Sequence, residues 1–144
     1  MKRTPLRKKS EKKKLREKLG SRHLQLLRKQ RGEACQICGR LSGNIGRFHI
    51  LPVGKYPKLE FVSENVLLAC WHPCHFSWHH SSILDERNKN TLARIKLICG
   101  DDFEDKLKAQ NELSGKIDLA MVELWLNREV LNANRIQPHE GREE

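Results

Sequence analysis

Two close pairs of cysteines constrain this chain more than any other feature of its sequence. The first pair is Cys35-Gln-Ile-Cys38, and the second, after a gap of 31 residues, is Cys70-Trp-His-Pro-Cys74. Two short loops of this kind can bring four thiolates to a single tetrahedral Zn²⁺, each at about 2.3 Å. The pattern therefore predicts a structural Zn²⁺ held by Cys35, Cys38, Cys70 and Cys74, and in so small a protein the metal would contribute directly to folding.

The second pair leaves one alternative open, and the remaining cysteine has a different character. Because the second pair is one residue longer than the usual knuckle, His72 or His75 could replace one of the cysteine ligands. Cys99 lies among apolar residues of a helical segment, which is typical of a buried, unreactive thiol. Paired reduced cysteines are typical of a reducing compartment, so we expect the protein in the cytoplasm.

The positive charge is concentrated in the first quarter of the chain. The 144 residues have a net charge of +10, but residues 1–32 alone carry +12, with 14 Lys and Arg against Glu11 and Glu17. This distribution favours a polyanionic partner such as DNA, because each neutralised phosphate releases counterions. A solubilising tail or an anionic membrane surface would give the same pattern. The residues predicted to contact DNA are Lys12, Lys13, Lys14, Arg16, Lys18, Arg22, Arg28, Lys29 and Arg31.

The apolar residues are enough for one small core and do not indicate a membrane protein. They make up 38% of the chain. No run of 18 or more apolar residues occurs, so we expect no membrane-spanning helix. No apolar segment follows the basic start, so we expect no secretory signal either.

The sequence divides into four predicted segments. Residues 1–31 form a basic N-terminal arm, helical or loosely ordered and interrupted near Gly20. Residues 32–84 hold both cysteine pairs, with short strands expected at 45–51, 59–62 and 66–69 and a helix carrying the second pair. Residues 85–136 are predicted to form three helices, one capped by Asn90 or Thr91 and ending at Gly100, and the last capped by Ser114. Residues 137–144 form a polar tail.

Three polar residues in the cysteine-containing segment suit phosphodiester chemistry. His49 ends the first predicted strand, Asn65 lies in a loop, and His75 follows Cys74. One histidine can act as general base for water, while the asparagine holds the loop that orients this imidazole and the second histidine holds a divalent metal. His79 lies four residues after His75, so both share one face if this segment is helical.

With these residues in place, the chain resembles the zinc-stapled HNH (ββα-metal) endonucleases, and within them the phage NinG (Rap) recombination nucleases. The similarity covers about residues 33–130 and rests on Ala34–Gly39, Pro57–Phe61, Glu64–Val66 and Cys70–His75. It implies an α+β fold with a small zinc-stapled, treble-clef-like ββα core, a basic N-terminal helical arm and C-terminal helices.

The resemblance also implies the roles of the residues. His49 would be the general base, Asn65 the orienting residue, and His75 a ligand of a catalytic Mg²⁺ or Mn²⁺. The implied substrate is branched recombination DNA such as a Holliday junction, and the implied location is the cytoplasm of a bacterial host. Many HNH enzymes have Asp or His before the general base as a second metal ligand, where this chain has Phe48. His79, or less favourably His80, could take its place as the second ligand.

Several alternatives follow from the same residues. A non-catalytic zinc protein that binds DNA would keep the fold without the catalytic ion. Trp71, Phe76 and Trp78 could stack on unpaired bases, or one of them could shield the zinc site. Junction resolution needs two symmetric cuts, so a homodimer is possible, and Leu124, Trp125 and Leu131 could form its interface or part of the core.

Overall fold

A computed structural model describes residues 8–41, 44–80 and 86–135. Within these ranges the chain forms five helices and a two-stranded antiparallel sheet, which confirms the α+β class. The helices and strands are α1 (Glu11–Arg31), β1 (Ile45–His49), β2 (Val66–Cys70), α2 (Phe76–His80), α3 (Glu86–Cys99), α4 (Phe103–Leu113) and α5 (Leu119–Arg135). Residues 1–7 of the predicted arm and the predicted tail at 137–144 lie outside the described residues.

The sheet pairs β1 with β2 in a register that separates two sets of side chains. Gly46 pairs with Ala69, Phe48 with Leu67, and His49 with Val66. Because side chains alternate along a strand, Arg47 and His49 share one face of β1 and Phe48 lies on the other. The order β1, β2, α2 is that of a ββα unit, and its membership of the HNH class stays a prediction.

The strand predicted at residues 59–62 is wrong. This segment instead follows a 3₁₀ turn at Pro57–Leu59 and leads to a second turn at Ser63–Asn65. Pro57 begins the first turn, where its fixed φ and missing N–H suit a helical start and oppose a ladder of strand hydrogen bonds. The turn carries Glu60 and Phe61 into the interior, where both side chains are buried.

Helix α1 is continuous through Gly20, so the predicted interruption there is wrong. Its start is capped by Ser10, whose hydroxyl oxygen accepts from the backbone N–H of Lys13 at 3.2 Å. Leu19, Leu26 and Leu27 are fully buried. Residues 11–31 of the basic segment are therefore a packed helix of the fold.

The C-terminal helices begin at other places than the sequence predicts. Helix α3 begins at Glu86, ahead of the predicted caps, but it does end before Gly100, whose φ of 95° suits glycine. Ser114 ends α4, where its hydroxyl donates to the carbonyl of Gln110 at 2.7 Å. Asp118, and not the predicted Ser114, caps α5: its Oδ1 accepts from the backbone N–H of Ala120 at 3.0 Å.

Two hydrophobic cores hold these elements together. The larger one surrounds the sheet and takes Leu27 from α1, Ile95 from α3, and Phe103 with Leu107 from α4. The smaller one joins α1 to α5, and its buried residues are Leu19, Leu26, Phe61, Leu119 and Leu126. Trp125 packs against the smaller core, whereas Leu124 and Leu131 are exposed. None of the described helices combines the length and apolar character that crossing a membrane requires.

Candidate functional site

The four paired cysteines meet at one point beside the sheet. Their Sγ atoms all lie within 4.8 Å of one another, and those of Cys38 and Cys70 are 3.8 Å apart. Tetrahedral zinc with Zn–S bonds of about 2.3 Å requires sulfur atoms about 3.8 Å apart, so the donor set fits this ion. All four thiols are free of disulfides. The structure thus confirms that these cysteines are close enough to hold a metal ion.

The first cysteine loop is fixed to β2 by Gln36. Its backbone N–H donates to the carbonyl of Leu68 at 2.7 Å, and its side-chain oxygen accepts from the N–H of Leu68 at 2.8 Å. Within the loop, the N–H of Cys38 points to Sγ of Cys35 at 3.4 Å. These contacts set the first pair beside Cys70 at the end of β2 and Cys74 in the turn Trp71–His75, which is kinked at His72.

The cysteines differ in how readily they ionise. Burial opposes ionisation of Cys35, but backbone donors from Cys38, Cys70 and Ile37 outweigh it and hold the pKa of Cys35 at about 7. Burial raises the pKa of Cys70 and of Cys74 above the usual range. A bound cation would lower the pKa of these thiols by stabilising the thiolates.

His49 is held in one orientation by a backbone carbonyl. Its Nε2 lies 2.9 Å from the carbonyl oxygen of Glu60. A carbonyl accepts hydrogen bonds and cannot donate, so Nε2 carries the proton and Nδ1 keeps a lone pair. Burial lowers the pKa of His49 to about 4, against the opposing effect of the Glu60 carbonyl. The imidazole is therefore neutral at pH 7, as a proton acceptor must be.

Asn65 fixes the chain that follows His49. Its side chain is fully buried, with Oδ1 accepting from the N–H of Leu51 at 2.9 Å and Nδ2 donating to the carbonyl of Leu51 at 3.0 Å. The backbone carbonyl of Asn65 accepts from the N–H of Ile50 at 2.8 Å. The asparagine thus ties the end of β1 to the turn before β2, and its catalytic role stays a prediction.

A cleft of about 850 Å³ opens between α1 and the face of β1 that carries His49. Arg47, His49 and Glu60 line it from the sheet side. From α1 and its N-cap it is lined by Ser10, Lys12, Lys13, Arg16, Glu17, Gly20, Ser21 and Leu24. Arg16 pairs with Glu60 across the cleft, Nε to Oε2, at 3.1 Å. The neutral imidazole therefore lies among cations that suit a phosphate backbone.

Sequence reasoning missed a buried polar network beside this cleft. Nη1 of Arg47 donates to the carbonyl of Glu60 at 3.1 Å and lies 3.2 Å from Nδ1 of His23. The Arg47 guanidinium also lies over the ring of Phe61, 5.3 Å from its centroid. The signal that could have indicated Arg47 is its spacing, since residues two apart on a strand share a face.

His75 and His79 pack against the ring of Phe48. Their ring centroids are 4.9 Å apart, and those of Phe48 are 5.5 Å from His75 and 5.9 Å from His79. Both histidines are near enough to His49 for their charges to lower its pKa. Across residues 8–41, 44–80 and 86–135, however, the four cysteines are the one group of three or more metal-binding side chains that could share an ion.

The nine basic residues predicted to contact DNA fall into two sets. Several are engaged with the protein: Arg28 donates to the carbonyl of Ile45, Arg31 to those of Ser63 and Val66, Arg22 to Asn127 and Lys29 to Asn134. The others are exposed on the N-terminal half of α1, and among them Lys14 pairs with Glu11 and Arg16 with Glu60. That half of the helix is the part that can offer cations to a ligand.

Comparison with known proteins adds no family assignment, since no family model, curated protein or solved structure matches this chain. The resemblance to HNH endonucleases therefore stays a prediction carried by the residues themselves.

Proposed function

We propose that this chain is a DNA endonuclease that hydrolyses phosphodiester bonds, with His49 as the general base. The observation that carries the proposal is the bond from Nε2 of His49 to the carbonyl of Glu60 in a cleft rimmed by lysines. This bond leaves Nδ1 free to accept a proton from water, and burial keeps the imidazole neutral.

Other residues of the cleft support that chemistry. Lys12 and Lys13 lie on the cleft wall and would hold phosphates on either side of the reacting one. Asn65 holds the backbone after His49, which keeps the imidazole from shifting away from the water. Arg47 contacts the same Glu60 carbonyl as His49 and so helps to fix the acceptor that orients the base.

The proposed metals have separate tasks. The four-cysteine cluster would hold a structural Zn²⁺ that joins the first cysteine loop to the end of β2. A catalytic Mg²⁺ or Mn²⁺ would supply charge stabilisation for the leaving oxygen, and His75 with His79 would hold it. This second donor set fits only in part, because these ions prefer oxygen ligands and the apolar ring of Phe48 lies against both imidazoles.

The finer parts of the proposal come from the resemblance. They are branched recombination DNA as the substrate, a phage origin with activity in the host cytoplasm, and a homodimer that makes two symmetric cuts. The exposed side chains of Leu124 and Leu131 on α5 give such a dimer a surface to use.

The deciding experiment is a cleavage assay on a four-way junction, a flap and a matched linear duplex with Mg²⁺, with Mn²⁺, or with neither ion. Wild-type protein is compared with His49→Ala, and with Ser21→Ala as a control in the same cleft. We expect cutting that needs a divalent ion and that only His49→Ala abolishes. Cutting by His49→Ala at the wild-type rate would refute the general base, and equal cutting of all three DNAs would refute the specificity.

One observation favours a second candidate, a zinc protein that binds DNA without cutting it. Phe48 is fully buried against His75 and His79, where a metal ligand is expected in a nuclease of this type. This function predicts tight binding to DNA with no cutting under any of the three ion conditions, so the same assay distinguishes the two candidates.

A further inference from the structure

A second cleft, of about 440 Å³, opens beside β1 and the start of the turn at Trp71–His75. Its lining includes Asn44, Gly46, Arg47, Ala69, Trp71 and His75. Gly46 and Ala69 are cross-strand partners, so two small residues lie side by side in this lining. A Cβ added at Gly46 would meet nothing within 4 Å, so the space beside residue 46 is open and a larger side chain there would extend into it.

Trp71 forms an exposed aromatic wall of this cleft. Its surface is 52% exposed, whereas the other two tryptophans pack against Phe48 and His23. The rings of Trp71 and His75 lie 4.8 Å apart at 60°, so the indole is supported from one side. A large aromatic ring that is held in place and still open to solvent is suited to stacking, because little side-chain entropy remains to be lost.

Arg47 connects this aromatic cleft to the basic one. It lines both clefts, so the aromatic cleft and the basic cleft meet β1 at the same residue. The net charge of +12 on residues 1–32 favours a polyanion as the occupant over an apolar peptide.

We propose that Trp71 and this cleft bind an unpaired nucleobase, so that the protein prefers DNA with unpaired bases to fully matched duplex. In a matched duplex both faces of each base are covered by its neighbours, so a stacking site of this kind has nothing to bind. Stacking on an aromatic side chain requires no particular base, so the preference is for DNA structure and not for sequence. This inference rests on the proposed action on DNA and names the part of the substrate that the site recognises.

The test measures binding without Mg²⁺ or Mn²⁺, so that no cutting occurs. The probes are a duplex with a three-nucleotide bulge and a matched duplex of equal charge. We expect Trp71→Ala to weaken the affinity for the bulged duplex by at least about 5-fold, which is the smallest effect expected for the loss of one stacked base. Its affinity for the matched duplex should stay within about 2-fold of the wild-type value. Trp71→Phe should keep most of the affinity for the bulged duplex, because phenylalanine can still stack on a base. Gly46→Val should weaken this affinity although Trp71 is intact, because the valine side chain fills the cleft. Phe76→Ala, an exposed aromatic outside the cleft, should have no effect.

A spectroscopic measurement covers the case in which Trp71→Ala fails to fold. The sequence has three tryptophans, so the double variant Trp78→Phe, Trp125→Phe reports on Trp71 alone. We expect an eight-nucleotide oligo(dT) to quench its fluorescence. The inference would be overturned if oligo(dT) binds this variant without quenching its fluorescence, or if wild-type protein binds both duplexes with equal affinity. Either outcome would leave the proposed nuclease standing. Wild-type protein that binds neither DNA would overturn both.

Discussion

Nη1 of Arg47 lies 3.2 Å from Nδ1 of His23, a histidine with no exposed surface. Because an arginine side chain only donates, Nδ1 accepts and the proton of His23 is on Nε2, which lies 3.1 Å from Oγ of Ser63. His23 is therefore a neutral link between α1, β1 and the turn before β2. Its neutrality is enforced by burial and by the charge of Arg47, which together lower its pKa to about 3.

Acid should destabilise the fold through His23. Its pKa is lower in the folded state than its ordinary value of 6.5, so the unfolded chain binds more protons between these values. The stabilisation is complete above about pH 6.5 and is lost as the pH falls toward 3. We expect protonation of this group to lower the free energy of unfolding of the wild type by about 1.4 kcal/mol between pH 7.5 and 5.5. The free energy of unfolding of His23→Gln should not show this decrease. Urea denaturation at both pH values measures it, and an equal pH dependence in the two proteins would contradict it.

The cysteine cluster should bind one zinc ion whose loss unfolds the protein. Cys38 is exposed, so Cys38→Ser removes a ligand without burying a new polar group. We expect zinc content to fall well below one per chain and thermal stability to drop, because metal binding and folding are linked. Cys99→Ser is the matched control, since this thiol lies outside the cluster. Full zinc occupancy in Cys38→Ser, measured by elemental analysis, would contradict a four-cysteine site.

Basic residues at the two ends of α1 should have different roles. Arg31 donates to the carbonyls of Ser63 and Val66, so we expect Arg31→Gln to cost about 1–2 kcal/mol of stability. Lys12 and Lys13 are exposed in the basic cleft, so Lys12→Gln, Lys13→Gln should keep stability while weakening DNA binding. The slope of log affinity against log salt should fall by up to about 2 in the lysine variant. Denaturation and salt titration of both proteins check this, and an unchanged slope would exclude the lysines from the DNA interface.

The sequence predicts the local features of this protein better than its packing. The spacing of Cys35, Cys38, Cys70 and Cys74 was sufficient to predict the cluster, because ligand spacing follows from the geometry of the metal. The helical character of α1 and both strands of the sheet also followed from local patterns. Those patterns do not show that Arg28 and Arg31 donate hydrogen bonds to carbonyls of β1 and β2, since these bonds depend on how α1 packs against the sheet.

The polar network could not be predicted for the same reason. His23 and Glu60 look like surface residues in the sequence, and they are buried because each finds a partner on another element. The break expected at Gly20 was wrong because local propensity treats a helical glycine as a weakness. In the fold the glycine makes room for a side chain from β1.

Gly20→Ala tests that last relationship. An alanine Cβ at this position would lie 2.5 Å from Nη2 of Arg47, which is shorter than the van der Waals contact distance, so one of the two groups would have to move. Alanine improves helix propensity by about 1 kcal/mol, so a helix with free space beside it would be stabilised. Here the guanidinium is held by His23, Glu60 and Phe61 and cannot move away without losing these contacts. We therefore expect Gly20→Ala to destabilise the protein by about 1–2 kcal/mol despite its better propensity, with Ser21→Ala, on the exposed side of the helix, as the control. Urea denaturation measures both variants, and a Gly20→Ala protein more stable than wild type would show that Arg47 is not fixed against α1.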